Sequence, residues 1–352
     1  MALLKFNNVG ITGIAACVPK NTIDNYEYNP FFPKEDIKMV VDKIGIKERR
    51  FATDEQCSSD LCYTAANKLI SDLNIDKSEI ELLVFVSQTP DYKMPATAII
   101  LQDRLGLNKS TLAFDISLGC SGFIYGLSTV YSFMQAGNIK RALLLNGETR
   151  SKVYSQKDRN TAFLFGDAGS AVLIENNTKF GESYFSLNSD GSLQDLIKIE
   201  AGGYRNPSDS ESIQEKVIDE YGNIRSDENG VMKGGDVFNF VLKEVPSDFK
   251  RLISFGNFDL NSIDHFVFHQ ANAFMNAYLA KKLKVSTEKV PSSIEKFGNT
   301  SSVSIPLTIV SELKNKLEDS KELFLAGFGV GMSWGCAKIN TENCFVSEIV
   351  EL

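Results

Sequence analysis

Residues 114–147 read FDISLGCSGFIYGLSTVYSFMQAGNIKRALLLNG, and the fold follows from how this stretch is parsed. A run through Phe114-Asp115-Ile116 gives way to Leu118-Gly119-Cys120-Ser121-Gly122, then to a helical stretch ending at about Ala136. Ala142-Leu143-Leu144-Leu145-Asn146-Gly147 follows. Short apolar runs bounded by turn residues read as buried strands. Strand, helix and strand joined by short turns predict a mostly parallel sheet with helices packed on it. Ligands of such sheets bind beyond the carboxyl ends of the strands, where Cys120 stands.

The unit is written twice. Leu82-Leu83-Val84-Phe85-Val86-Ser87 and a helix ending at Asp103-Arg104-Leu105-Gly106-Leu107 precede it. Their counterparts are His265-Phe266-Val267-Phe268-His269 and a helix ending at Lys281-Lys282-Leu283. Ser293-Ile294-Glu295 then reads as a strand, Phe297-Gly298-Asn299-Thr300-Ser301 as its turn, a helix runs to about Leu317, and Glu322-Leu323-Phe324-Leu325-Ala326-Gly327 is a third strand. Cys120 and Gly147 are 27 residues apart, and Asn299 and Gly327 are 28 apart. The polar seam Glu175-Asn176-Asn177-Thr178-Lys179 divides the halves, giving domains 1–176 and 177–352. A pseudo-twofold axis between them would bring the turns at Cys120, His269 and Asn299 together. Ser183 to Gly235 is polar and reads as loops beside that place.

Composition narrows the function. Of 352 residues, 43% are hydrophobic and 23% charged, and the net charge is -8. Such a chain is globular and lacks the net positive surface of a general nucleic-acid binder. The opening MALLKFNNVG is not a secretory signal, and no apolar run of 18 residues could span a bilayer, so the cytoplasm is the expected location. Six scattered cysteines form no disulfide frame, and two histidines, His265 and His269, cannot build a His-rich zinc site; no metal is expected.

Cys120 sits in a Gly-flanked turn just before an apolar helix, where helix N-terminal amides lower a thiol's pKa. Cys17, Cys57, Cys62, Cys336 and Cys344 lack such a setting and read as small buried residues. His269 ends a strand and can act as a base or donate from Nε2 to a developing oxyanion; His265, at the strand's start, reads as a satisfied half-buried histidine. Asn299 suits a helix N-cap, or it serves as a neutral donor beside His269. The string Gly327-Phe328-Gly329-Val330-Gly331-Met332-Ser333-Trp334-Gly335 is no dinucleotide fingerprint, since no helix opens there. It reads as a bent loop whose backbone N–H, with that of Cys120, forms an oxyanion hole.

Gly119-Cys120-Ser121-Gly122-Phe123, His269-Gln270-Ala271-Asn272, Gly298-Asn299-Thr300-Ser301 and the closing glycine string resemble the β-ketoacyl-acyl carrier protein synthase III family of the thiolase superfamily. So do Gly45-Ile46-Lys47-Glu48-Arg49-Arg50, Thr89-Pro90-Asp91-Tyr92 and Phe165-Gly166-Asp167-Ala168-Gly169. The resemblance runs from about Ile11 to Trp334. It implies an α/β, thiolase-like, duplicated five-layer α/β/α/β/α fold and a homodimer. It also implies that Cys120 takes an acyl group from a thioester, usually acyl-CoA. Malonyl on acyl carrier protein then loses carbon dioxide, and His269 and Asn299 stabilise the enolate that attacks the acyl-enzyme. The amides of Cys120 and Val330 would hold the thioester oxygen. CoA and carrier-protein thioesters are then substrates, and no cofactor is called for.

The resemblance further assigns Lys43, Arg159, Lys281 and Lys282 to CoA or carrier binding, and Met94 and Phe238 to the acyl pocket. Met39 stands where the family commonly has a Trp that stacks on adenine, Lys43 where it has a nearby Arg, and Phe274 where it often has a docking Arg. Met94 replaces a common Phe that reaches toward the partner's pocket. Conserved chemistry with altered contacts points to a specialised paralogue with an unusual primer.

Two other chemistries fit parts of the pattern. A thiolase-fold acyltransferase would pass the Cys120 acyl group to an amine or hydroxyl, but such relatives tend to alter the Asn position, and Asn299 is present. A papain-like peptidase also pairs Cys with downstream His and Asn, yet the surroundings of Cys120 lack that signature. A non-catalytic scaffold would not need Cys120, His269 and Asn299 intact.

Overall fold

The computed structural model describes residues 2–352. Its main sheet joins 11 strands and repeats one arrangement in two halves. In the first half the spatial order is Leu112–Ile116, Leu82–Val86, Arg141–Thr149, Asp167–Asn176 and Val9–Val18. The first two pairings are parallel and the last two antiparallel. In the second half the order is His265–Phe268, Lys321–Gly329, Ser333–Val346 and Glu182–Ser189, again parallel and then antiparallel twice. All five residues of Leu82–Val86 are buried, as a strand covered on both faces requires.

Helices complete five layers. Gly122–Ala136 and Ser304–Glu312 share one core between the two half-sheets, through Phe123, Ile124, Leu127, Ile305, Leu307 and Ile309. Ser58–Asp72 and Thr97–Arg104 cover the outer face of the first half, through Leu61, Ala65, Ala98 and Leu101. Gly234–Gly256 and Ala273–Leu283 cover the second, through Val237, Phe240, Met275 and Leu279. The duplicated α/β/α/β/α expectation holds, but the sheet in each half is mixed and not mostly parallel, because the strands after the crossover helix return antiparallel.

Four further expectations need correction or refinement. Ser293-Ile294-Glu295 is no strand: Ile294–Phe297 is a short helix, because the Ser293 carbonyl accepts from the amides of Lys296 and Phe297 and Gly298, at φ 64, ends the turn. The second half therefore lacks the counterpart of Leu112–Ile116. Ser183–Ser189 is no loop but belongs to the strand Glu182–Ser189. It alternates buried Phe185 with Tyr184, Ser186 and Asn188, and Ser186 donates to buried Asp248 of the covering helix. Only the stretch beyond is irregular, with two short antiparallel pairs, Ile197–Ile199 with Gly230–Met232 and Lys216–Val217 with Ile224–Arg225. The glycine string is two antiparallel strands joined by a tight turn at residues 330–332.

The fourth concerns the seam at residues 176 and 177, which the chain crosses at both ends. Ala2–Asn7 pairs with Glu182–Ser189 of the second half, and Val350–Glu351 pairs with Cys17 and Val18 of the first. Thr341 also pairs with Ile11, so the two half-sheets are one hydrogen-bonded body.

The outer helix Ser58–Asp72 packs on its sheet with almost no clearance. A Cβ on Gly169 would lie 2.6 Å from the backbone nitrogen of Cys62 and 2.6 Å from the carbonyl carbon of Leu61. Backbone cannot yield as a flexible side chain does, so Gly169→Ala should lower stability by about 1–3 kcal/mol. A urea midpoint unchanged from wild type would contradict this packing.

Candidate active site

Cys120, His269 and Asn299 line one cavity of about 290 Å³. Cys120 is held in the turn between Leu112–Ile116 and Gly122–Ala136, where the Gly122 amide bonds back to the Gly119 carbonyl at 2.6 Å. The turn from Gly329 to Val330 lies against it: a Cβ on Gly329 would be 2.9 Å from the Cys120 Sγ. Next to that sulfur, 3.8 Å away, is the Ser301 hydroxyl.

His269 follows the strand His265–Phe268, and its amide donates to the Ala326 carbonyl at 2.8 Å. The ring packs edge-on against Phe328, and its Nδ1 is 2.7 Å from the Ser304 hydroxyl. Asn299 is stitched into the first half. Its amide donates to Leu164, its carbonyl accepts from Gly166, and it forms a bridge with Phe165. Buried Arg49 supports this turn by donating to the Phe165 carbonyl at 3.0 Å and to Asn25 at 2.7 Å. That gives the Gly45–Arg50 stretch a structural role.

The orientation of the Asn299 carboxamide is decided by its neighbour. Its Oδ1 accepts from the Ser301 amide at 2.9 Å, so its N–H₂ group is free to donate. The site therefore pairs a thiol with a carboxamide donor and an imidazole. Such a set can form a thioester at sulfur and stabilise negative charge opposite it without removing a proton.

The electrostatics correct the expectation that the helix terminus leaves the Cys120 pKa lowered. Burial raises its pKa; Arg150, the Ser301 hydroxyl and the Val330 amide pull it down, and Glu148 pushes it up, with burial prevailing. Burial likewise lowers the His269 pKa to about 3, helped by the Arg150 charge and only partly offset by the Ser301 backbone. The imidazole is neutral and suited to donating.

The other candidates are scattered. Lys43 and Met39 are exposed on the helix Lys34–Ile44. Arg159 is engaged with Asp36 of that helix at 2.9 Å and stacks over Phe32. Lys281 and Lys282 are exposed on Ala273–Leu283, and Lys282 donates to the Leu242 carbonyl. Phe238 is not in the cavity: its neighbours Val237 and Val241 line it, while Phe238 stacks on Phe274, centroids 5.5 Å apart, and meets Tyr278 edge-on. Helical spacing turns it away from its neighbours' face. Met94 is 76% exposed and outside the cavity of its own chain.

Sequence reading missed a polar cluster under Cys120: Gln88, Glu148, Arg150 and Ser301. Arg150 donates to Gln88 Oε1 at 2.6 Å and to Ser301 Oγ at 3.1 Å, and Ser301 donates to Glu148 at 3.3 Å. The available signal was Glu148-Thr149-Arg150 closing an apolar strand, since charge at the carboxyl end of a parallel strand sits where ligands bind. Ile197 and Met232, paired across two short strands, also line the cavity.

The neutral imidazole has a consequence for stability. Below pH 6.5 the unfolded chain protonates His269, whereas the folded chain resists to about pH 3, so folding weakens as pH falls through that window. His269→Gln should therefore lose about 2 kcal/mol less than wild type between pH 7 and pH 5 in denaturant titrations. Equal losses would show that the folded protein protonates His269 as readily as the unfolded chain.

Residues 114–191 match the family described as 3-oxoacyl-[acyl-carrier-protein (ACP)] synthase III, and residues 254–341 match its C-terminal part. The chain is 36% identical over 350 residues to a putative 3-oxoacyl-[acyl-carrier-protein] synthase 3 of Campylobacter jejuni, covering 98% of each. It is 34% identical to a beta-ketoacyl-[acyl-carrier-protein] synthase III of Clostridioides difficile, covering 94% of this chain and 97% of the other. Among solved structures, a 3-oxoacyl-(acyl-carrier protein) synthase from Burkholderia xenovorans LB400 superposes with a TM-score of 0.93 at 38% identity, over 100% of this chain and 99% of the other.

Proposed function

Because the chain belongs to the 3-oxoacyl-[acyl-carrier-protein] synthase III family, we propose that it is a decarboxylative condensing enzyme joining a primer acyl group to a malonyl unit on acyl carrier protein. The observation that carries this reading is the meeting of Cys120, His269 and Asn299 in one cavity. Cys120 attacks an acyl thioester and expels the thiol of CoA or of a carrier. Malonyl thioester then enters and loses carbon dioxide. The enolate oxygen that forms is held by Asn299 Nδ2–H and by the His269 Nε2–H, the tautomer present when the Ser304 hydroxyl donates to Nδ1. The enolate carbon attacks the Cys120 thioester, whose carbonyl oxygen is held by the amides of Cys120 and Val330, and the sulfur leaves as thiolate. A neutral imidazole suits this role because it donates without quenching the enolate. The thioesters supply the driving force, and no cofactor enters. Transfer of the acyl group to an amine or hydroxyl is not favoured, since a free Asn299 donor serves an enolate.

Two partners follow. Lys281 and Lys282, beside exposed Phe274 and Tyr278, offer a basic and aromatic surface to an acidic carrier protein, with Lys43 and Arg159 toward the nucleotide of CoA. A second copy of the chain would cover the open edge strand Leu112–Ile116, where Leu112 is exposed and Phe114 only partly buried. In that homodimer Met94 would reach the partner's acyl pocket. No helix among the described residues is long and apolar enough to cross a membrane, in keeping with work in the cytoplasm.

Incubation with acyl-CoA should add one acyl mass to the intact protein, and malonyl carrier protein should remove it with release of a 3-oxoacyl product. Cys120→Ala should show neither step. Asn299→Ala should still load but condense about 10²–10³-fold more slowly, the cost of losing one oxyanion donor. An acyl mass that malonyl carrier protein leaves in place would refute condensation. Light scattering should give twice the chain mass, and a monomer would refute the edge pairing.

A further inference from the structure

Arg150 is an unusual wall for an acyl site. It is 5% exposed and lines the cavity together with Gln88 and Cys120. Among the described residues its hydrogen bonds leave from Nη2 alone, to Gln88 Oε1 and Ser301 Oγ. Its Nε stands 3.5 Å from Glu148 Oε2 without a hydrogen-bond partner. Arginine only donates, so the Gln88 oxygen must face it, and the Gln88 N–H₂ group is then turned away from the guanidinium. An unpartnered buried donor is costly, and a hydrocarbon chain packed against the guanidinium and the Gln88 amide supplies an acceptor to neither.

Position and charge say which acceptor fits. A Cβ on Gly119, the residue before the nucleophile, would lie 2.5 Å from Gln88 Oε1 and 3.0 Å from Arg150 Nη2. From Sγ it is 3.8 Å to the Ser301 hydroxyl and a further 3.1 Å to Nη2. Through that shared hydroxyl the guanidinium stands no more than roughly 7 Å from the sulfur, within hydrogen-bonding reach of an oxygen on the third carbon of a thioester-bound chain. Glu148, fully buried and accepting from Ser301 and Thr89, offsets the guanidinium charge. The pair is neutral overall, which suits an uncharged oxygen better than a carboxylate.

Resting on the condensing function proposed above, we propose that the primer is a short acyl group bearing a neutral oxygen, hydroxyl or oxo, on its third carbon, selected by Arg150 and Gln88. The test is loading of Cys120, read by intact mass, from butyryl, 3-hydroxybutyryl, 3-oxobutyryl and succinyl thioesters of CoA and of acyl carrier protein. An oxygenated four-carbon primer should load at least tenfold faster than butyryl. Gln88→Leu, which leaves the Glu148–Arg150 pair intact, and Arg150→Met should each erase most of that ratio, with thermal unfolding confirming that the variants fold. A ratio unmoved in folded variants would overturn the assignment to these side chains. Butyryl loading as fast as its oxygenated analogues would overturn this proposal and leave the condensing function standing. Preference for succinyl would overturn it in favour of an acid. No loading from any donor would overturn both.

Discussion

Two helices packed between two half-sheets, Gly122–Ala136 and Ser304–Glu312, are the constraint on which the rest depends. Sharing one apolar core, neither can shift without opening voids, and close-packed interiors resist that. The first begins just after Cys120. The second begins with Ser304, whose hydroxyl sits on the His269 ring, and follows the turn that carries Asn299 and Ser301. The geometry of the site is thus set by packing well away from the chemistry.

The halves are not equal partners in the site. Cys120 comes from the first, and His269, Asn299, Ser301 and Val330 come from the second. The second half lacks a counterpart of Leu112–Ile116, and the chain there takes another path. Where that strand would run, Ile294–Phe297 and Gly298 turn the chain so that Asn299 docks on Leu164 and Gly166 across the divide. A position on Gly298 beyond Cα is closed by the Leu164 carbonyl, 2.7 Å from where its Cβ would be, and its backbone at φ 64 and ψ -159 lies in a region that only glycine adopts readily.

The electrostatics assign the polar groups different work. Burial keeps His269 neutral and discourages the Cys120 thiolate, while Arg150, the Ser301 hydroxyl and the Val330 amide favour it. A thiolate formed here therefore rests on a few directed contacts, and two of them, Arg150 and Ser301, belong to the polar cluster under the sulfur.

The duplicated α/β plan and the residues Cys120, His269 and Asn299 were legible in the sequence, because apolar runs, turn glycines and equal spacings are local signals. The strand Glu182–Ser189 was not, since most of its side chains are polar and the burial of Ser186 against Asp248 exists only once the covering helix is in place. Phe238 shows the same limit: its type suited an acyl pocket, but the helix phase put Val237 and Val241 there instead. The Gln88–Arg150–Glu148–Ser301 cluster joins positions up to 213 residues apart along the chain. The sequence by itself determined which residue types stand at the strand ends. Only the tertiary structure decided which of them meet, because burial and charge pairing between distant segments arise when the halves close on one another.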